Sequence, residues 1–174
     1  MGNLLWAMSP LTITALVLLT ILLGIVVLLL VLGGRPHRHK NVPLSELQKY
    51  LRVLLHRGCQ GGFMQIHLPG KKTEGLQFSK YILREGAVGL QLDFPLASWS
   101  KPYYPKLKHV LGQSGVPFSI QTTETPAVPE FLVVDAGDDL ERAADLSRLL
   151  LSKVFGHSLD AAVEVTYGNT TVRL

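Results

Sequence analysis

The most constraining feature of this sequence is an apolar segment near its N-terminus. The first 34 residues contain no charged side chain, and residues 11–32 read LTITALVLLTILLGIVVLLLVL. A helix rising about 1.5 Å per residue would span about 33 Å over this segment, enough to cross a hydrocarbon layer of about 30 Å. The segment lacks the basic start and the small-residue cleavage site of a secretory signal peptide. The sequence therefore predicts a retained, single-pass transmembrane anchor over residues 1–34.

The charges beside this anchor predict its orientation. Arg35, Arg38 and Lys40 follow the apolar segment, whereas only the terminal amine precedes it. Lysine and arginine close to a span are retained on the cytoplasmic side, so we expect the N-terminus outside the cell membrane and the C-terminal domain in the cytoplasm. The three cations form a membrane-surface basic flank that can attract anionic lipid headgroups. A lone cysteine, Cys59, agrees with a reducing compartment.

Two regions follow the anchor. Residues 35–43 read RPHRHKNVP, and their two prolines and basic cluster predict a basic linker. Residues 44–174 contain stretches of helical and of two-residue apolar periodicity, which predict a folded soluble domain. A chain of about 130 residues can bury one hydrophobic core without a metal or a disulfide framework.

Periodicity divides this domain into interspersed helices and strands. Apolar residues spaced three and four apart predict helices over residues 46–57, after Ser100, and after Asp138, which is the expected N-cap of the last helix. Alternating apolar and polar residues predict a three-stranded meander over 61–95, strands at 116–122 and 131–136, and a terminal hairpin around Gly168 and Asn169. This order predicts an α/β fold, a two-layer α/β sandwich in which helices cover one face of a mixed sheet.

The apolar segment itself offers little chemistry for transport or cofactor binding. It contains no His, Asp, Glu, Lys or Arg, whereas channels, proton relays and transporters need polar groups along their path. Thr20 and Gly24 are small residues four positions apart, which favours close packing of another membrane helix. We therefore expect other membrane protein subunits as partners.

The best candidate for a catalytic or metal site is an acidic turn in the domain. Asp135, Asp138 and Asp139 lie between a predicted strand and a predicted helix, where open α/β sheets often place active-site groups. The alternative is structural, because an N-cap and acidic residues in the first turn stabilise a helix. The spacing does not fit an EF-hand, and His37 with His39 supplies only two ligands where zinc sites need three or four. We expect no cofactor and no metal.

Charge is divided unevenly along the sequence. Residues 35–115 hold 13 Lys and Arg against 4 Asp and Glu, whereas residues 116–174 hold 4 against 9. The basic half adjoins the anchor, which leaves the acidic half to face solvent or a partner. Tyr103 and Tyr104 lie among lysines and are candidates for a partner surface. Nucleic acid is not an expected partner, because no recognition motif accompanies the basic residues.

These features favour a non-catalytic accessory or assembly subunit of a larger membrane protein complex. An energy-transducing respiratory or photosynthetic assembly is one natural setting, with the single helix packed in the membrane and the α/β domain docked on the cytoplasmic face. The alternative is a membrane-tethered enzyme or small-ligand sensor that uses the turn containing Asp135, Asp138 and Asp139. Several catalytic or ligand-binding side chains gathered at one place in the fold would favour the enzyme or sensor over the accessory subunit.

Overall fold

The computed structural model describes residues 37–71, 74–122 and 130–168. The predicted anchor over residues 1–34, with Thr20 and Gly24, lies outside these residues, as do Arg35 and the second strand of the predicted terminal hairpin. Among the residues that are described, no helix has both the length and the apolar character needed to cross a membrane.

Three helices are interspersed among the strands of the described chain, which confirms the prediction of a mixed α/β fold. The predicted meander and all three predicted helices of the domain are present. In chain order, the elements are β1 (His37–Pro43), a 3-10 turn (Leu44–Glu46), α1 (Leu47–Arg57), β2 (Phe63–His67), β3 (Gly75–Ile82), β4 (Val88–Pro95), α2 (Tyr104–Gln113), β5 (Ser119–Gln121), β6 (Phe131–Gly137), α3 (Leu140–Lys153) and β7 (Ala162–Gly168).

The described strands form one seven-stranded sheet in the order β1-β7-β2-β3-β4-β6-β5. Every neighbouring pair in it is antiparallel, so the prediction of a mixed sheet was wrong. The helices interspersed in the sequence suggested parallel crossovers, but α3 links β6 to β7, which lie on opposite sides of the central meander. In β2, β3 and β7 buried residues alternate with more exposed ones, which is typical of an antiparallel sheet with one solvated face.

The prediction of a linker over residues 35–43 was also wrong for most of its length. His37–Pro43 is an edge strand that pairs with β7. Although most of its residues are polar, this strand has side chains that pack against the core. Val42 is buried, and the half-buried His39 ring packs edge-on against Tyr50 and Tyr167. An extra residue, Asn41 at φ 57°, shifts the register between these two inward side chains.

The hydrophobic core consists of alternate strand residues packed against the helices. Buried apolar side chains from the strands and from α1, α2 and α3 form one cluster. Burial of apolar area at about 25 cal/mol per Å² makes this cluster the main source of stability. Two buried side chains on this face have their polar ends hydrogen-bonded: the Tyr167 hydroxyl donates to the Tyr50 carbonyl, and Lys80 Nζ donates to the Gly58 carbonyl at the end of α1, each over 2.8 Å.

Candidate functional site

The face of the sheet opposite the core is mainly polar. Strand register places Gln65 beside Gln77 and Thr166, and Gln77 beside Asp93. Because alternate residues of a strand share one face, these side chains line up across four strands. We call the following set the polar face: Arg38, Gln65, His67, Gln77, Gln91, Asp93, Glu164 and Thr166.

Aromatic rings border this polar face. The side chain of Tyr81 on β3 lies across Gly89 on β4, and that of Phe63 on β2 lies across Gly168 on β7. A Cβ atom at either glycine would overlap the neighbouring ring. Glycine therefore provides the flat surface on which each ring rests, and both rings lie toward the same end of the sheet, beyond Gln65 and Gln91.

Hydrogen bonds between side chains hold the polar face in place. Gln65 Nε2 donates to Gln77 Oε1 over 3.0 Å, and Gln65 Oε1 lies 3.3 Å from His67 Nε2. An amide oxygen can only accept, so Nε2 of His67 is the donor in this pair. The other ring nitrogen, Nδ1, is buried and has no hydrogen-bond partner among the described residues. Burial is the main reason that the pKa of His67 is lowered, so the ring is neutral at pH 7.

Asp93 is the most unusual residue of the polar face. Only 7% of its surface is exposed, and its carboxylate accepts a hydrogen bond from Gln91 Nε2 over 2.8 Å. In the described parts of the chain, the ion pairs join Arg38 to Glu164, Lys71 to Glu74 and Arg148 to Asp145, and none includes Asp93. Burial raises the pKa of Asp93 to about 6, against the opposing effect of the Gln91 hydrogen bond. The group is therefore mostly ionised at pH 7 although it is buried.

A small cavity opens beside Asp93 where β2 and β4 end and β3 begins. It has a volume of about 160 Å³, and we call it the Asp93 pocket. Its lining consists of Gln65, His67, Gly75, Leu76, Gln77, Asp93, Pro95 and Trp99. Trp99 is placed by the loop after β4, in which the buried Ser100 hydroxyl accepts from the Ala97 amide over 2.9 Å and donates to the Pro95 carbonyl.

A wider groove of about 430 Å³ adjoins the Asp93 pocket and shares Gln65 and His67 with it. The remaining residues that line this groove are Arg38, Gly70, Lys71, Glu164 and Thr166. Its two cations are compensated, because Arg38 pairs with Glu164, and Lys71 Nζ lies 2.7 Å from Glu74 Oε2. We call it the Arg38 groove. Its charge is balanced, whereas the Asp93 pocket carries an unbalanced carboxylate.

The acidic turn identified in the sequence does not converge on one site. Asp135 Oδ1 accepts from the Tyr81 hydroxyl over 2.8 Å and from the Gly137 amide over 2.9 Å. Asp139 Oδ1 caps α3 by accepting from the amides of Glu141 and Arg142, each over 3.0 Å. The prediction that Asp138 is the cap was therefore wrong by one residue, because the chain turns at Gly137 with φ 65° and helical geometry begins only at Leu140.

Asp138 has a different environment from its two neighbours. It is exposed and lines a cavity of about 440 Å³ together with His56 and the buried Lys80. No cluster of three or more His, Cys, Asp and Glu side chains able to hold a metal ion occurs within residues 37–71, 74–122 and 130–168. Asp139 lines a separate cavity of about 620 Å³ beside α3, but its carboxylate is already engaged as the helix cap, whereas Asp138 makes no such cap.

The two tyrosines proposed from the sequence as a partner surface are half-buried at the start of α2. The Tyr103 ring packs 4.9 Å from that of Phe155, and Lys108 Nζ lies 5.6 Å from the centre of the Tyr104 ring. Burial, followed by the neighbouring Glu74, raises the pKa of the Tyr103 hydroxyl. Neither ring lines the Asp93 pocket. Of the predicted basic flank, Arg38 lines the groove, and Lys40 is exposed on β1.

Sequence reasoning missed the residues that the fold brings together. Asp93 lies on the polar side of an alternating segment, but its burial depends on β3, β6 and the Trp99 loop. His67 and Trp99 show no spacing that connects them with Asp93. Alternation predicts which residues share a face, but it does not predict which strands are neighbours. The available signal was only an acidic residue at a polar position of a period-two strand.

No protein-family model, curated protein or solved structure matches this chain. Function is therefore inferred from the chemistry of the polar face. A buried carboxylate, amide groups and an indole ring around a small cavity can bind and orient a cationic group. They provide hydrogen-bond acceptors and a charge, which are the requirements of recognition.

Proposed function

We propose that this chain is a non-catalytic accessory or assembly subunit of a larger membrane protein complex, such as a respiratory or photosynthetic assembly. Its N-terminal helix packs against other membrane subunits, and its α/β domain binds a partner on the cytoplasmic side. Helices on one face of the sheet leave the other face for that partner. The observation that supports this function most is a polar face whose side chains are ordered by their own hydrogen bonds around two adjoining cavities.

The hydrogen bonds of the polar face favour binding over catalysis. Side chains that are already ordered lose little further entropy when a partner arrives. Polar and charged groups of this kind give specificity and fix the register of an interface. By contrast, Asp135 and Asp139 of the acidic turn are engaged in hydrogen bonds that shape the end of β6 and the start of α3. Their contacts are accounted for by local structure.

Membrane attachment is supported by the sequence features that precede the domain. The uncharged segment over residues 11–32 has the length of a membrane span, and Arg35, Arg38 and Lys40 follow it. Each cation near an anionic membrane surface contributes about 1 kcal/mol of attraction. Lys40 is exposed on β1, where such an attraction is sterically possible. Such an anchor keeps the domain at the membrane that contains the subunits we propose as its partners.

The test is gentle detergent extraction of the full-length chain, followed by identification of the proteins that co-purify. Thr166 is half-buried in the Arg38 groove, so Thr166→Lys adds bulk and charge to the polar face. Gln113→Lys makes a matched change at an exposed position on α2. We expect the wild type and Gln113→Lys to retain a stoichiometric complex and Thr166→Lys to lose it at an unchanged melting temperature. A complex that survives Thr166→Lys would contradict docking through the polar face.

A membrane-tethered enzyme or small-ligand sensor is the second candidate. One observation favours it: Asp138 lines a cavity of about 440 Å³ with His56 and Lys80, a size typical of small-molecule sites. In this case the chain would purify without protein partners but with a bound metabolite. Asp138→Asn would then remove activity or the metabolite while the melting temperature stays the same, since the side chain keeps its shape and loses its charge.

A further inference from the structure

We propose that the Asp93 pocket receives the cationic end of a side chain, an arginine in preference to a lysine, from the protein that docks on the polar face. This inference rests on the proposed function and names the chemical group that the partner must present. It follows from the charge, the size and the lining of the pocket.

The charge of the pocket calls for a cation. Burial of an unpaired carboxylate destabilises the fold, because the charge loses its hydration. A buried ion pair offsets this loss only when further hydrogen bonds satisfy the remaining donors and acceptors. Asp93 is 7% exposed, its one hydrogen bond within the described chain comes from the neutral amide of Gln91, and no described cation pairs with it. A bound guanidinium would supply both the opposite charge and further donors.

The size of the pocket selects one side chain rather than a metabolite. Pockets for small molecules and cofactors usually have volumes of about 300–1,000 Å³, and a water molecule occupies about 30 Å³. The Asp93 pocket, at about 160 Å³, lies between these limits. It therefore fits the terminal atoms of a long side chain whose backbone remains outside.

The lining matches both parts of an arginine side chain. Leu76 and Pro95 offer apolar contact for the methylene stem, and Gln65 and Gln77 present amide groups beside the carboxylate. Trp99 adds an aromatic ring, and arginine associates with aromatic rings more readily than lysine because its guanidinium is planar and less strongly hydrated. His67 does not repel the cation at pH 7, because burial keeps its pKa low.

The adjoining Arg38 groove explains why the cation belongs to a protein. The groove shares Gln65 and His67 with the pocket and, at about 430 Å³, offers space for residues on either side of the inserted arginine. Its own cations are paired with Glu164 and Glu74, so it does not repel a basic segment strongly. A free amine would use the pocket and leave the groove empty.

The test is a titration of the full-length chain in detergent with N-acetylarginine amide, with N-acetylcitrulline amide as a neutral probe of the same shape. The readout is the indole N–H resonance of Trp99, isolated by Trp6→Phe because the chain has two tryptophans. We expect saturable shifts with the arginine probe, and binding at least about tenfold weaker with the citrulline probe and in Asp93→Asn. Asp160→Asn removes an exposed carboxylate elsewhere and should leave binding unchanged.

Acid should weaken this binding, because a cation prefers the ionised form of Asp93 and burial raises its pKa to about 6. The titratable and charged groups on the elements around the pocket are His67 on β2, the Arg38 and Glu164 pair across the groove, the Lys71 and Glu74 pair before β3, and Asp135 on β6. Protonation of His67 repels the cation and acts in the same direction. We expect the affinity of the arginine probe to fall about tenfold between pH 7.5 and pH 5, and the slope to diminish in Asp93→Asn.

Three results would overturn the inference: equal binding of the two probes, unchanged binding in Asp93→Asn, or no saturable shift up to about 100 mM probe. Each can be separated from failure of the proposed function. If the probe fails while Thr166→Lys still disrupts the co-purifying complex, the pocket inference alone is wrong. If the probe binds a chain that purifies without any partner, the accessory-subunit function is wrong and the cation site stands. In the intact complex, Asp93→Asn should reduce the yield of the co-purified partner, and Asp160→Asn should not.

Discussion

The two faces of the sheet use the same strands for different purposes. Facing the helices are fully buried apolar residues such as Met64, Phe78, Leu92 and Val134. One position along each strand, the opposite face presents polar residues such as Gln65, Gln77, Gln91 and Asp93. The first face stabilises the fold through burial of apolar side chains, whose shapes must fit together. The second is ordered by hydrogen bonds and retains a buried charge, so its residues are explained better by binding than by stability.

Phe78 and Gln77 give the sharpest comparison, because they are adjacent in β3 and point to opposite faces. Phe78→Ala should lower the free energy of unfolding by about 3–5 kcal/mol, since it removes a fully buried aromatic ring and leaves a cavity. Gln77→Ala should cost about 1 kcal/mol, the usual net value of a hydrogen bond. Chemical denaturation of the full-length chain in detergent, followed by near-ultraviolet circular dichroism, measures both. Equal losses would show that the polar face is also a structural core.

Asp93→Asn tests whether the ionised carboxylate of Asp93 lowers the stability of the fold. The pKa of Asp93 is raised from 3.8 to about 6 by burial, so folding favours its protonated form. Its stabilising contribution is therefore present below about pH 3.8 and is lost as the pH rises through about 6. We expect Asp93→Asn to be more stable than the wild type at pH 7.5, by up to about 3 kcal/mol at about 1.4 kcal/mol per pKa unit.

The difference in stability between the wild type and Asp93→Asn should therefore depend on pH. Asparagine still accepts the Gln91 hydrogen bond, so the melting temperatures of wild type and Asp93→Asn should converge toward pH 4. A difference that stays constant between pH 4 and pH 7.5 would show that the charge of Asp93 is not its cause. A substitution that raises stability and lowers binding is the expected behaviour of a residue retained for recognition.

Gly89 tests the aromatic border of the polar face. Gly89→Ala places a Cβ where the Tyr81 ring now lies, and overpacking of this kind costs about 1–3 kcal/mol. In a Tyr81→Ala background the same substitution should cost much less, because the obstructing ring is gone. Gly112→Ala is the control: it meets nothing within 4 Å on α2 and should stabilise the protein by about 0.5–1 kcal/mol. Denaturation midpoints of the four variants decide whether the ring is the cause.

Local sequence patterns predicted most of the elements but little of their arrangement. The meander from β2 to β4 was predictable because apolar and polar residues alternate between clear turns. β1 was not predictable, since its inward residues His39 and Val42 are separated by a bulge that breaks the alternation. The antiparallel order was not predictable either, because β7 inserts between β1 and β2 from the far end of the chain.

The candidate site depended even more on this arrangement. Asp135, Asp138 and Asp139 are close in sequence, yet their side chains face three different environments. Asp93 and Trp99 are six residues apart but become neighbours only through the turn that Ser100 stabilises. His67 joins them because β2 pairs with β3. Burial of a polar residue is a property of tertiary structure, and sequence periodicity carries no direct signal of it.

The smallest expected effect concerns the start of α3, which lies outside both faces of the sheet. Asp139, and not Asp138, accepts the first amides of this helix, so Asp139→Ala should lower the free energy of unfolding by about 1 kcal/mol. Asp138→Ala should change it by less than about 0.5 kcal/mol, as expected for an exposed residue without such a role. Asp139→Asn should be nearly neutral, because asparagine caps about as well as aspartate. Thermal melts of the three variants provide the measurement, and a larger loss for Asp138→Ala than for Asp139→Ala would restore the cap to Asp138. If Asp138→Ala instead leaves stability unchanged but abolishes a bound metabolite or an activity, the cavity that Asp138 shares with His56 and Lys80 is the functional site. The two faces of the sheet would then differ in their contribution to stability, and the polar face would not be the binding surface.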